Sequence, residues 1–242
     1  MRRTLVIADA HGYPEVIQAA LDHAGFRPGE DRLVFAGDFL DRGPDPQGCL
    51  DLVEQHADEV LLGNHDLAVL LDTFIWPQEP QSRRFRPQLI DKVLGREEGF
   101  AWKAAAVAEE VLITHAGVSE NFAPVFAEIC RGQVGLLAEW LNRVFRDAVH
   151  HSLQANAVTG WEEAILGEEG PFWLRPRPFS RSRPLSGVKQ VAGHSPPVPE
   201  LEEEGFYMID PCVWALELGE PLRFRYVVIG EGRVEVREGL VG

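Results

Sequence analysis

Five short apolar runs in this chain each stop at a residue able to hold a metal ion. Leu5-Val6-Ile7-Ala8 ends at Asp9, Leu33-Val34-Phe35-Ala36 leads through Gly37 to Asp38, and Val60-Leu61-Leu62 leads through Gly63 to Asn64. Val111-Leu112-Ile113 reaches Thr114 and His115, and Gln190-Val191-Ala192 reaches Gly193 and His194. Apolar runs of this length without polar alternation predict strands buried on both faces, the condition of a sheet covered by helices. In such sheets the carboxyl ends of the strands line the ligand crevice, so residues distant in sequence converge there. The steps from Asp9 to Asp38 and from Asp38 to Asn64 are 29 and 26 residues, which suits strand-helix-strand units. The later steps of 51 and 79 residues leave room for further helices.

Between the runs lie helical signals. Pro14 stands at a helix first turn, with Val16, Ile17, Ala20, Leu21 and Ala24 at helical spacing before Gly25. Segments near 45–56, 66–74, 87–108 and 121–154 also read as helices, the last broken near Gly132 and Gly135. The C-terminal part reads as successive antiparallel strands, Phe206 to Ile209, Val213 to Leu218, Phe224 to Ile229 and Val234 to Arg237, with Gly230-Glu231-Gly232 as a tight turn. The expectation is one α/β domain over residues 1–242, with a helical insert about 74–110 and an Arg/Pro-rich loop about 171–199 that wraps an active face.

Bulk properties narrow the function classes. With 242 residues, 45% of them hydrophobic, the chain can fill a sizeable core, and no stretch reaches the roughly 18 to 20 apolar residues of a membrane span. The apolar run after Met1-Arg2-Arg3 stops at Asp9, short of a secretory leader, so the expected compartment is the cytoplasm. Cys49, Cys130 and Cys212 have no metal or redox spacing and read as free thiols. A formal net charge of -15 disfavours nucleic acid as a partner but not a phosphorylated substrate, because bound divalent cations reverse the field locally.

The motifs Asp9-Ala10-His11, Gly37-Asp38-Phe39-Leu40-Asp41-Arg42-Gly43, Gly63-Asn64-His65-Asp66, Thr114-His115-Ala116-Gly117 and Gly193-His194 together resemble the calcineurin-like metallophosphoesterases. Within them the chain is most similar to the serine/threonine phosphoprotein phosphatase branch and the related bacterial symmetrical diadenosine tetraphosphatases. The resemblance implies an α-β-β-α sandwich of two mixed sheets flanked by helices. It also implies two divalent ions, most readily Mn, with Fe, Zn or Ni as alternatives suited to the same oxygen and imidazole ligands. One would be held by Asp9, His11 and Asp38, the other by Asp38, Asn64, His115 and His194, sharing a hydroxide that attacks phosphorus.

The same resemblance makes His65 the general acid, Asp41 the carboxylate that keeps it protonated, and Arg42 a phosphate grip. A second gripping arginine is expected in Phe172-Trp173-Leu174-Arg175-Pro176, making Arg175 the candidate ahead of Arg177, Arg181 and Arg183. Asp66 reads as a loop support. The substrate is read as a phosphomonoester, with phosphoserine or phosphothreonine proteins as one class. Asp41 favours this reading, since the tetraphosphatases often carry a small residue there; dinucleoside polyphosphate hydrolysis is the alternative. A non-catalytic phosphate-binding protein on the same fold is the third reading. Ile209-Asp210-Pro211-Cys212 departs from the Asp-Thr-Gly usual in both branches.

Overall fold

The computed structural model describes residues 2–95 and 102–241. Among the described residues nine strands form two mixed sheets: β1 (Thr4–Ile7), β2 (Arg32–Phe35), β3 (Glu59–Val60), β4 (Ala105–Ala108), β5 (Val111–Thr114), β6 (Lys189–Ala192), β7 (Phe206–Met208), β8 (Leu222–Gly230) and β9 (Arg233–Val241). The first sheet runs β3-β2-β1-β8-β9 and the second β4-β5-β6-β7. β1, β2 and β3 are parallel, as are β5, β6 and β7. β8, β9 and β4 pair antiparallel with their neighbours.

The sheets are stacked on each other. Val6, Ala8, Val34, Ala36 and Leu61 from the first pack with Ala106, Ala108, Val111, Ile113 and Val191 from the second in one buried cluster. Alternate residues of the first sheet, Leu5, Ile7, Leu33 and Phe35, join a second core on its outer side. That core takes Val16, Ile17 and Leu21 of α1 (Pro14–Ala24), Leu50 and Val53 of α2 (Pro46–His56), and Leu67 and Leu70 of α3 (Asn64–Leu71). β1 and β2 are therefore apolar on both faces, which is why their sequences show no alternation. The same core includes Leu89 and Val93 of α4 (Arg86–Leu94) and Leu137, Leu141 and Phe145 of α5 (Val134–Leu153), which packs over β4 and β5. α6 (Trp161–Leu166) lies against α5, and α7 (Pro199–Glu203) against β7. A last single turn, α8 (Trp214–Glu217), precedes β8.

Three expectations change. The helix read over 87–108 ends at Leu94, and Ala105–Ala108 is strand β4; the part that falls on 96–101 lies outside the described residues. Alanine favours helix locally, but here the small side chains fit between the sheets and pair with β5, so tertiary context wins. The run from Val213 to Leu218 is not a strand. It turns into α8, with Trp214 52% and Leu218 66% exposed and no described strand paired with it. β7 lies in the second sheet, parallel to β6, so only β8 and β9 form the expected antiparallel hairpin. The break before α5 falls at Arg131 and Gly132, both with positive φ, while Gly135 lies inside the helix. Residues 171–188 are pinned to the segment after β5: Ala116 N donates to Pro171 O at 2.7 Å and Leu185 N to Val118 O at 2.9 Å. No described helix is long and apolar enough to cross a membrane.

Candidate metal centre

Beyond their last paired residues β1 and β2 continue side by side as loops. Asp9 N donates to Gly37 O and His11 N to Asp38 O, both at 2.9 Å, and Gly12 N to Phe39 O at 3.0 Å. This stitching places Asp9, His11 and Asp38 together. Asp38, in turn, meets the β3 loop: its Oδ1 accepts the His65 N–H at 2.9 Å. Asp66 braces the junction from behind, accepting the N–H of Asp38 at 2.7 Å, of Gly63 at 2.9 Å and of Leu40 at 3.2 Å. Burial and the charge of Asp38 push the Asp66 carboxyl upward, and these N–H donors pull it back. Gly37 makes the close approach possible, since a Cβ there would lie 2.3 Å from Gly63 N.

The opposite rim comes from the second sheet. His194 N donates to both carboxylate oxygens of Asp9 at 3.1 Å, so strand ends of the two sheets meet across the crevice. Gly193 is at closest quarters: a Cβ would stand 1.8 Å from Asp9 Oδ2. Gly193→Ala must therefore displace the Asp9 carboxylate. We expect it to weaken divalent-cation binding by about 10-fold or more and to lower stability by about 1–3 kcal/mol, read by metal content after dialysis and by thermal melting.

Two of the histidines are oriented by backbone carbonyls. A carbonyl can only accept, so His11 Nδ1–H donates to Leu40 O at 3.0 Å and His115 Nδ1–H to Ala36 O at 2.9 Å. Burial lowers the pKa of both rings, that of His11 to about 3, despite the opposing pull of Asp38. Each neutral ring then points an Nε2 lone pair inward. His11 Nε2 lies 3.4 Å and His115 Nε2 3.5 Å from Asp38 Oδ2. Asn64 Oδ1 lies 2.9 Å from His115 Nε2 and 3.1 Å from His194 Nδ1.

Electron-pair donors thus face one another without a proton between several of them. Ligands on a single ion with bonds of about 2.1 Å sit about 3 Å apart when mutually perpendicular, so the spacing fits shared cations. His11, Asp38 and His65 form one set, and Asp9, Asp38 and His115 another, with ligand-type atoms within 4.8 Å in each; Asp38 belongs to both. Burial raises the pKa of Asp9 well above the ordinary carboxylate value, with Asp210 and Asp38 adding to it, a crowding of negative charge that bound cations would offset.

All six expected ligands, Asp9, His11, Asp38, Asn64, His115 and His194, are buried around this crevice. Beside them, His65 Nδ1 and Asp41 Oδ2 are 2.8 Å apart, and Asp41 Oδ1 accepts the Glu79 N–H at 3.0 Å. Burial opposes the charged imidazole of His65, but Asp38 and the hydrogen-bonded Asp41 outweigh it and raise the pKa. The His65 and His11 rings meet edge to face at 4.9 Å. Arg42 Nη1 is 3.6 Å from Glu217 Oε1. Arg175 reaches the His194 segment, with Nη1 3.5 Å from His194 O and from Ser195 Oγ. Arg177 and Arg183 instead line a separate cleft of about 610 Å³ with Val198 and Leu201. Six of these residues, Asp9, His11, Asp38, Asp41, Arg42 and His194, have positive φ between 44° and 67°.

Asp210, named in the sequence only for its departure from Asp-Thr-Gly, stands just past β7, where the apolar run Phe206 to Ile209 ends in an acid, the signal that identified the other strand ends.

A family model described as calcineurin-like phosphoesterase matches residues 2–230. The symmetrical bis(5'-nucleosyl)-tetraphosphatase of Vibrio parahaemolyticus is 30% identical over 175 residues, covering 68% of this chain and 62% of that protein. The chain thus spans less than two thirds of that relative's length, and 50% of the tetraphosphatase of Aggregatibacter actinomycetemcomitans, to which it is 28% identical. Serine/threonine-protein phosphatase 1 of Salmonella typhimurium is 38% identical over 69 residues, covering 28% of this chain and 32% of that protein. In fold, the chain is similar to a cold-active protein-tyrosine phosphatase of a psychrophile, Shewanella sp., with a TM-score of 0.63 at 17% identity, covering 100% of this chain and 81% of that one. A putative diadenosine tetraphosphatase aligns with a TM-score of 0.52 at 19% identity, over 100% of this chain and 95% of that one. With the family model matching nearly the whole chain and the motif residues gathered at one crevice, this protein belongs to the calcineurin-like phosphoesterases.

Proposed function

We propose that the chain is a dinuclear metal-dependent phosphoesterase that hydrolyses phosphate monoesters, serine and threonine phosphoproteins among them. Asp9, His11 and Asp38 would hold one ion and Asp38, Asn64, His115 and His194 the other, with Mn the first choice for this oxygen and imidazole set. When bound, such ions supply Lewis acidity and water activated at neutral pH. The protein's own groups do the rest. Arg42 and Arg175 grip the phosphoryl oxygens from two sides of the crevice. His65 turns Nδ1 to Asp41, which leaves Nε2 to deliver a proton to the leaving oxygen.

The observation that carries the reading is this buried Asp41–His65 pair, 2.8 Å long, set beside the ligands. A carboxylate so placed favours the imidazolium, the form a general acid needs. Because the raised His65 pKa owes part of its rise to Asp41, Asp41→Asn lowers it and the acid form is lost earlier as pH increases. The alkaline limb of the kcat profile on an alkyl phosphate is expected to move to lower pH; an unmoved limb contradicts the pairing.

Identity to tetraphosphatases over two thirds of the chain supports a second reading, symmetrical cleavage of dinucleoside polyphosphates. Mn-loaded protein assayed on a phosphopeptide, p-nitrophenyl phosphate and diadenosine tetraphosphate separates the two. Release of phosphate from the first two is expected. Cleavage of the dinucleotide alone, to nucleoside diphosphates, replaces the monoesterase reading with the second. Absence of turnover and of bound metal after loading leaves a non-catalytic phosphate-binding protein.

A further inference from the structure

The second sheet ends in a row of three residues rather than two. β6 and β7 are parallel with Ala192 opposite Met208, and Ile209 N donates to Ala192 O at 2.8 Å, so the ladder continues beyond the paired residues. His194 and Asp210 each lie two residues past that register pair. Neighbouring strands are about 4.8 Å apart, which puts Asp210 beside His194 on the same rim. His194, in turn, donates its N–H to Asp9.

The Asp210 side chain is only half engaged. Oδ1 accepts the Cys212 N–H at 2.7 Å and holds the turn into α8, and among the described residues none donates to Oδ2. The turn alone could be held by a neutral asparagine or serine, so it does not explain a carboxylate at the strand end next to His194. Two carboxylates, Asp9 and Asp210, that flank one histidine on the rim repel each other unless a cation sits among them.

We propose that Asp210 is a positioning residue of the metal centre, a further carboxylate on the Asp9 side that raises its affinity for a divalent cation. This rests on the dinuclear reading above. Asp210 need not touch substrate; it acts through Asp9 and His194, the residues it flanks. Partners just outside the ligands of a metal site change affinity by about 10- to 100-fold when removed.

Asp210→Asn tests the proposal because asparagine keeps an oxygen for the Cys212 N–H and removes only the charge. Mn binding is titrated in competition with a chromogenic chelator, and the metal-free proteins are melted in EDTA. At least one of the two Mn equivalents is expected to bind about 10-fold or more weakly, while the metal-free variant melts at or above the wild type. Wild-type affinity for both equivalents overturns the proposal and leaves the dinuclear reading intact. A lower metal-free melting point with unchanged Mn affinity, or a variant that does not fold, overturns it too, since Asp210 would then serve the turn alone. Wild-type protein that binds no Mn overturns the dinuclear reading and this inference together.

Discussion

Asp38→Asn is expected to abolish phosphoesterase turnover, by at least about 10³-fold, beyond the 10- to 100-fold typical of residues outside the ligand set. Asp38 is common to both groups of ligand-type atoms, with Oδ2 facing His11 and His115 while Oδ1 is committed to the His65 N–H. Asparagine can still accept that N–H but cannot share a negative charge between two cations. Burial opposes the charged form of Asp38, yet the surrounding histidines, His115 foremost, hold its pKa below the usual value. Its charge also raises the pKa of Asp9 and of Asp66. The substitution therefore relieves repulsion in the metal-free protein. A ligand that binds only the folded state stabilises it by RT ln(1 + [L]/Kd). Mn should raise the melting temperature of the wild type and leave that of Asp38→Asn unmoved. An equal rise in both would contradict the bridging position.

His65→Ala carries the second large effect, and its signature is selectivity by leaving group. Loss of a positioned acid costs about 10²- to 10⁴-fold where the departing oxygen needs a proton. Alkyl phosphates should fall by about 10² or more, whereas p-nitrophenyl phosphate, whose phenolate leaves readily, should fall much less. Both metal equivalents should remain, because His65 Nδ1 is engaged by Asp41 and the six ligands are untouched. A uniform loss across leaving groups would point to an electrostatic role instead, and loss of metal would make His65 a ligand.

The parallel strands and their terminal residues were legible because one physical rule produced both. A strand covered on two faces must be apolar throughout, and its first polar residue marks where it emerges at the crevice. That rule found Asp9, Asp38, Asn64, His115 and His194, and applied once more it would have found Asp210. It failed where local and tertiary preferences diverge. Ala105-Ala106-Val107-Ala108 is helical by propensity and a strand by pairing with β5. Val213 to Leu218 is apolar except for Glu217, like a buried strand, yet Trp214 on the single helical turn and Leu218 just after it face solvent. The pairing of His65 with Asp41 was implied by family likeness alone. Nothing in a spacing of 24 residues shows that two loops cross, and the 2.8 Å contact depends on both β2 and β3 ending at the same height.

The positive φ angles gathered at the crevice set stability and chemistry against each other. A non-glycine residue in the left-handed region costs about 1 kcal/mol or more, less for aspartate and asparagine. Six of the twelve such residues in the described chain belong to the candidate site. Under selection for heat resistance alone, glycine is the easier residue at His11, Arg42 and His194, and each such replacement discards a working side chain. A duplicate of this chain released from its task would therefore drift toward a firmer fold with an empty crevice, its strands intact and its motifs erased from the rim inward.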